Sequence, residues 1–121
     1  VKVGATSRIK PEQLALYERL VATQPDVRRK GATVPYTSVN GHMFSFLSTP
    51  GTLALRLPRE EREAFLERHQ TTLHEAYGTV LKEYVSVLDD LLADTERLAP
   101  IFAVSYEYVA ALKPKPTRRA R

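Results

Sequence analysis

Asn40-Gly41 lies between two runs rich in β-branched and aromatic residues, and it leaves the backbone few choices. Both central residues of a type I′ turn need positive φ, which Asn and Gly accept most easily. Tyr36 and Ser38 on one side and His42, Phe44 and Phe46 on the other are therefore predicted to form a hairpin. A second break, Ser48-Thr49-Pro50-Gly51, separates Met43–Leu47 from Thr52–Leu57 and adds a third strand. There Leu53, Leu55 and Leu57 alternate with Thr52, Ala54 and Arg56, so the leucines face a core and Arg56 faces solvent or a cleft. Residues 30–57 thus read as an antiparallel meander, and the flanking segments must cover it.

Those segments read as helices. Leu14, Tyr17, Leu20 and Val21 recur at helical spacing after Pro11, which suits a first helical position because its missing N–H has no partner there. Arg59 to His69 is a charged helix opened by Pro58, with Ala64, Phe65 and Leu66 available to pack. Glu63 lies four residues from both Arg59 and Glu67, so the attraction and the repulsion offset each other. Gln70 to Tyr77 has weak period, Gly78 marks a turn, and Val80 to Val87 alternates as a fourth strand. In Asp89 to Ala111, Leu98, Phe102, Ser105, Tyr106, Val109 and Leu112 share a stripe. Asp94 or Thr95 is the expected N-cap, and Pro100 is expected to kink or divide the segment. The expected fold class is α+β: an antiparallel sheet, a three-strand meander plus a fourth strand, packed against N-terminal, middle and C-terminal helices. The expected organisation is an arm over 1–10, one domain over 11–112 and a basic tail over 113–121.

Charge narrows the choice of partner. The net charge is +4, yet Lys113, Lys115, Arg118, Arg119 and Arg121 all fall in the last nine residues, and the rest of the chain carries about −1. No basic groove is encoded in the body, so cations for phosphate are concentrated in the tail and in Arg28, Arg29 and Lys30 of the connector. The sequence contains no Cys, which removes thiol nucleophiles and thiolate metal sites and fits a reducing, cytoplasmic setting. No window supplies the run of about 18 to 20 apolar residues that a membrane span requires, and VKVGATSRIK lacks the apolar core of a secretory signal.

Catalytic motifs are lacking. His69 and His74 are five apart, off the i, i+4 face of a zinc helix, and read with His42 as surface or capping residues; no metal is implied. No Ser lies in a G-x-S-x-G elbow and no phosphate-cradling glycine loop occurs, so neither a hydrolase nor a nucleotide enzyme is supported and no cofactor is implied. Arg56, Lys82 and Glu83 are charged residues within strands, and with Tyr36 and His42 they would form a cleft if the sheet brought them together. The other reading puts them on a solvated sheet face.

Several of these segments share a wider pattern. Gly41 to Phe44 matches a "G-x-x-F" hairpin, Leu53 to Arg56 a "L-x-L-K/R" strand, Tyr84 the central aromatic of a later strand, and Ser105 to Val109 a helical "S-Y-x-x-V". In that order, over about residues 11–112, the chain resembles the small family that groups the TfoX N-terminal domain with MmcQ/YjbR-like proteins. It departs from the pattern at Tyr84, where the family usually has Trp. The resemblance implies an α+β domain with a non-enzymatic, competence-regulator-like or DNA-associated role and no catalytic residues. The alternatives are a protein-interaction or homodimerisation module and, third, a small-ligand binder or enzyme using the cleft of Tyr36, His42, Arg56, Lys82 and Glu83.

Overall fold

A computed structural model describes residues 9–31, 34–48, 51–76 and 78–114. The expected arm over 1–10 lies outside the described residues except for Ile9 and Lys10, and so does the tail beyond Pro114. Among the described residues the elements run α1 (Pro11–Val21), β1 (Tyr36–Val39), β2 (His42–Ser48), β3 (Thr52–Arg56), α2 (Arg59–His69), β4 (Leu73–Ala76), β5 (Thr79–Val87), α3 (Asp89–Leu92) and α4 (Thr95–Ala110). The strands form one antiparallel sheet in the order β1-β2-β3-β5-β4, so the chain is an α+β fold.

The Asn40-Gly41 turn forms with both residues at positive φ, 55° and 82°. The Asn40 side chain also reaches across the fold, its Nδ2 donating to the Ala110 carbonyl at 2.9 Å and tying the hairpin tip to the end of α4. That carbonyl is one of those a helix C-terminus leaves without an intrahelical partner. Gly51 is a second demanding glycine. At φ 151°, a Cβ there would lie 2.7 Å from Gln13 Cγ, and Gln13 Nε2 donates to the Gly51 carbonyl at 3.0 Å. The side chain of α1 thus closes over the β2–β3 turn.

One face of the sheet carries the core. Leu53, Leu55 and Leu57 with Val85 and Val87 meet Tyr17 and Leu20 of α1, Phe65 of α2, Leu92 of α3 and Leu98, Phe102 and Val109 of α4. The hydroxyls of Tyr17, Ser45 and Thr37 form a buried chain within it, at 2.6 Å and 2.5 Å. Burial pushes the Tyr17 pKa up to about 12 against the opposing effect of those hydrogen bonds, so the phenol stays protonated.

Strict alternation along β2 would place Phe44 and Phe46 on one face, but a β-bulge separates them. Thr37 pairs with Ser45 and Ser38 with Met43, so Phe44 is the extra residue. Phe44 turns to the helices, its ring 5.5 Å from Phe102 and 5.8 Å from Tyr106. Phe46 takes the opposite face, 5.6 Å from Tyr84 and 5.2 Å from His74. Donors arrive where the ladder is interrupted: Ser105 Oγ reaches the Phe44 carbonyl at 3.3 Å, and Tyr84 Oη the Met43 carbonyl at 2.6 Å.

Two expectations need correction. Pro100 does not divide its segment: α4 runs unbroken from Thr95 to Ala110, and the break falls at Ala93–Asp94, where the Asp94 side chain accepts from the Arg97 N–H. Both Pro100 and Glu96, whose carbonyl the proline leaves without an intrahelical donor, are exposed, which keeps the lost hydrogen bond on the solvated side. The sheet also gains a fifth strand, β4, from the weakly periodic stretch after α2. That helix ends on Gln70 in the left-handed region at φ 50°, with its N–H on the Leu66 carbonyl, and the reversal starts the strand.

Asn40→Ala is expected to lower stability by about 1–2 kcal/mol, since Ala at positive φ is strained and the bond to α4 is lost. Asn40→Gly, which accepts the φ and loses only the bond, is expected to cost less; urea unfolding compares the two. Ser105→Ala is expected to cost about 1–2 kcal/mol by the same measurement, because a buried carbonyl at the bulge loses its donor.

Candidate functional site

The face of the sheet turned away from the helices is not an open, solvated surface. Between Leu73 and His74 the β4–β5 register jumps past residues 82 to 84, and the distal part of that hairpin bends over the sheet. As a result Leu81, Thr79 and Ala76 approach Tyr36, Met43 and Phe46 from the far side of the sheet and border an open apolar hollow of about 510 Å3. A second hollow of about 700 Å3 adjoins the same hairpin between Thr72–Glu75 and the hydroxyl residues Ser48, Thr52 and Ser86. His74 stands between the two. It lines the second hollow, meets Phe46 of the first edge to face, and shares a 2.9 Å hydrogen bond between its Nδ1 and Ser86 Oγ.

His74 is only 5% exposed, which corrects the surface or capping reading of this residue. Its Nε2 is buried without a hydrogen-bond partner among the described residues. Burial holds the imidazole pKa below its ordinary value of 6.5, so the ring is neutral at physiological pH.

The expected cleft residues divide. Arg56 and Glu83 meet, with Nε to Oε1 at 2.7 Å and both side chains partly buried. Tyr108 Oη of α4 donates to the other Glu83 oxygen at 3.3 Å, and the Arg56 guanidinium lies 5.9 Å from the Tyr108 ring centroid. The Tyr108 pKa is raised by burial and by the Glu83 charge. Tyr36 belongs instead to the apolar hollow. Lys82 is exposed within β5, and His42 points to the start of the C-terminal segment, its Nε2 at 2.8 Å from the Lys113 carbonyl. The five residues therefore occupy separate places and do not make one cleft.

The basic residues also divide. Arg29 is engaged by Glu18 at 2.8 Å and by the Gly31 carbonyl, while Arg28 is exposed. Lys30 pairs through its backbone with Tyr36 and extends Nζ to Ser38 Oγ at 3.4 Å, along the strand that enters the Asn40-Gly41 turn. Lys113 is exposed beside that same turn. Lys115, Arg118, Arg119 and Arg121 lie outside the described residues.

His74, Ser86, Met43 and Leu81 were not singled out by sequence as partners in one site. Their only local signal was Gly78, the turn that closes the β4–β5 hairpin, because the bend that assembles them depends on a register jump between strands.

The depressed His74 pKa sets the direction of a pH effect. The unfolded chain binds the proton more readily, so stability falls as pH drops below about 6.5 and levels off below the folded-state value. Denaturation midpoints are expected to be lower at about pH 5.5 than at about pH 7.5. The difference is expected to shrink in His74→Gln, leaving the contribution of His69, whose pKa is also lowered, by burial and by Arg97 and Arg68. No family model, curated protein or solved structure matches the chain.

Proposed function

We propose that the chain is a non-enzymatic regulatory domain, as the resemblance to the TfoX N-terminal and MmcQ/YjbR-like family implies, that meets nucleic-acid phosphates through its basic C-terminal segment. The observation that carries this reading is the way that segment begins. His42 holds the Lys113 carbonyl, Asn40 holds the Ala110 carbonyl, and Lys30 Nζ reaches Ser38 on the strand leading into the same turn. The connector's lysine and the first cation of the tail thus arise at one corner of the fold. A body of about −1 charge discourages a broad phosphate-binding face, so contacts are confined to that corner and to the cations beyond it. Arg29 contributes least, because Glu18 already neutralises it.

Binding of this kind is governed by counterion release and shows little sequence preference. Duplex DNA titrated at low and moderate salt tests it. The expected slope of log K against log salt is about −5 to −6, for the five tail cations and Lys30. Removal of 113–121 is expected to abolish most of the binding, Lys30→Ala to reduce the slope by about 1, and Arg29→Ala to change little. Absence of binding at low salt, or an unchanged slope after truncation, would overturn the reading.

A further inference from the structure

Helix α2 is held to the body by little. Phe65 is its one buried side chain among the described residues, and a helix of 11 residues is marginal in water without packing on another surface. It also stands apart from α4, and the surface between the two helices keeps a groove of about 300 Å3. Leu57 and Phe65 are buried at the base of the groove, and Ala64, Ile101 and Val104 border it, with Ala64 exposed. Apolar surface grouped in this way and rimmed by charged side chains is the usual form of a contact site.

We propose that this groove receives α2 of a second copy of the chain, the two α2 helices lying antiparallel about a twofold axis beside Ala64. The charges select this occupant. Glu61 and Arg68 both line the groove and both are exposed. Seven residues apart, they share one helix face but lie about 10 Å apart along its axis, too far to meet each other. Neither forms an ion pair among the described residues. Ala64 sits nearly midway between them. An identical helix turned about that midpoint sets its own Arg68 against Glu61 and its own Glu61 against Arg68, so both charges are answered at once. The same reversal opposes the two helix dipoles, and the small side chain of Ala64 lets the backbones approach closely. A partner helix of one charge would satisfy one end of the groove and be repelled at the other. An interface centred on a helix of 11 residues is small, so the dimer belongs to the weak, concentration-dependent class.

The test measures the mass of the full chain by sedimentation equilibrium without nucleic acid, so its failure is separate from failure of the phosphate-binding reading. The average mass is expected to rise from monomer toward dimer between about 10 µM and 1 mM. Glu61→Arg sets like charges against each other at two places in the dimer, and so does Arg68→Glu. Each alone is expected to weaken association about tenfold or more. An equimolar mixture of these two variants restores both opposite-charge contacts in the mixed dimer, and is expected to associate within about threefold of the unaltered chain. Ala64→Arg, which blocks the close approach of the helices, is expected to leave a monomer. All three side chains are exposed, so none of the substitutions disturbs the core. The proposal is overturned if the unaltered chain stays monomeric up to about 1 mM. It is overturned equally if the charge variants or Ala64→Arg dimerise as well as the unaltered chain, or if mixing the two charge variants restores nothing.

Discussion

A single inserted residue in β2 sets the character of both faces of this sheet. Because Phe44 has no partner in the β1–β2 register, it turns to the helices, and the alternation restarts with Phe46 on the other side. Had the strand stayed regular, both rings would have fallen on one face, with Met43, Ser45 and Leu47 on the other. The bulge also interrupts the ladder, and the structure answers with donors from two directions: Ser105 on α4 and Tyr84 on β5. The same local irregularity therefore links the helical layer to the sheet and anchors Met43 at the edge of the apolar hollow. Bulges commonly re-aim side chains in this way.

A second irregularity acts on the opposite side. The register jump in the β4–β5 hairpin bends its distal part across the sheet, so a surface that would otherwise be half-solvated becomes enclosed around Phe46 and His74. The consequence is electrostatic as well as steric. His74 loses solvent and is held neutral, whereas Arg56 and Glu83 remain near the surface as a partly exposed pair supported by Tyr108. Such a partly exposed pair contributes about 1 kcal/mol or less, so its value lies more in fixing the strand ends against α4 than in raw stability.

Much of the architecture was legible from local chemistry. The Asn40-Gly41 turn, the Leu53-Leu55-Leu57 face, the helix opened by Pro11 and the cap at Asp94 follow from φ preferences, period and hydrogen-bonding capacity, all properties of neighbouring residues. Pro100 shows the limit of such rules. A missing donor breaks a helix only if the freed carbonyl has no other recourse, and exposure supplied one here. Strand β4 escaped because four residues, Leu73 to Ala76, carry too little alternation to be told from a loop. His74 was misjudged for the same reason, since its burial depends on a hairpin bending over it.

The sequence by itself determined the α+β class, the leucine face of the sheet and the concentration of positive charge at the C-terminal end, because each rests on residues close together in the chain. Tertiary structure decided which side of the sheet Phe44 and Phe46 occupy, that Arg56 and Glu83 pair while Tyr36, His42 and Lys82 go elsewhere, and that His74 is enclosed. Those outcomes depend on strand register. Register is a relation between segments far apart in sequence, and one extra residue in a strand reverses which face every later side chain takes.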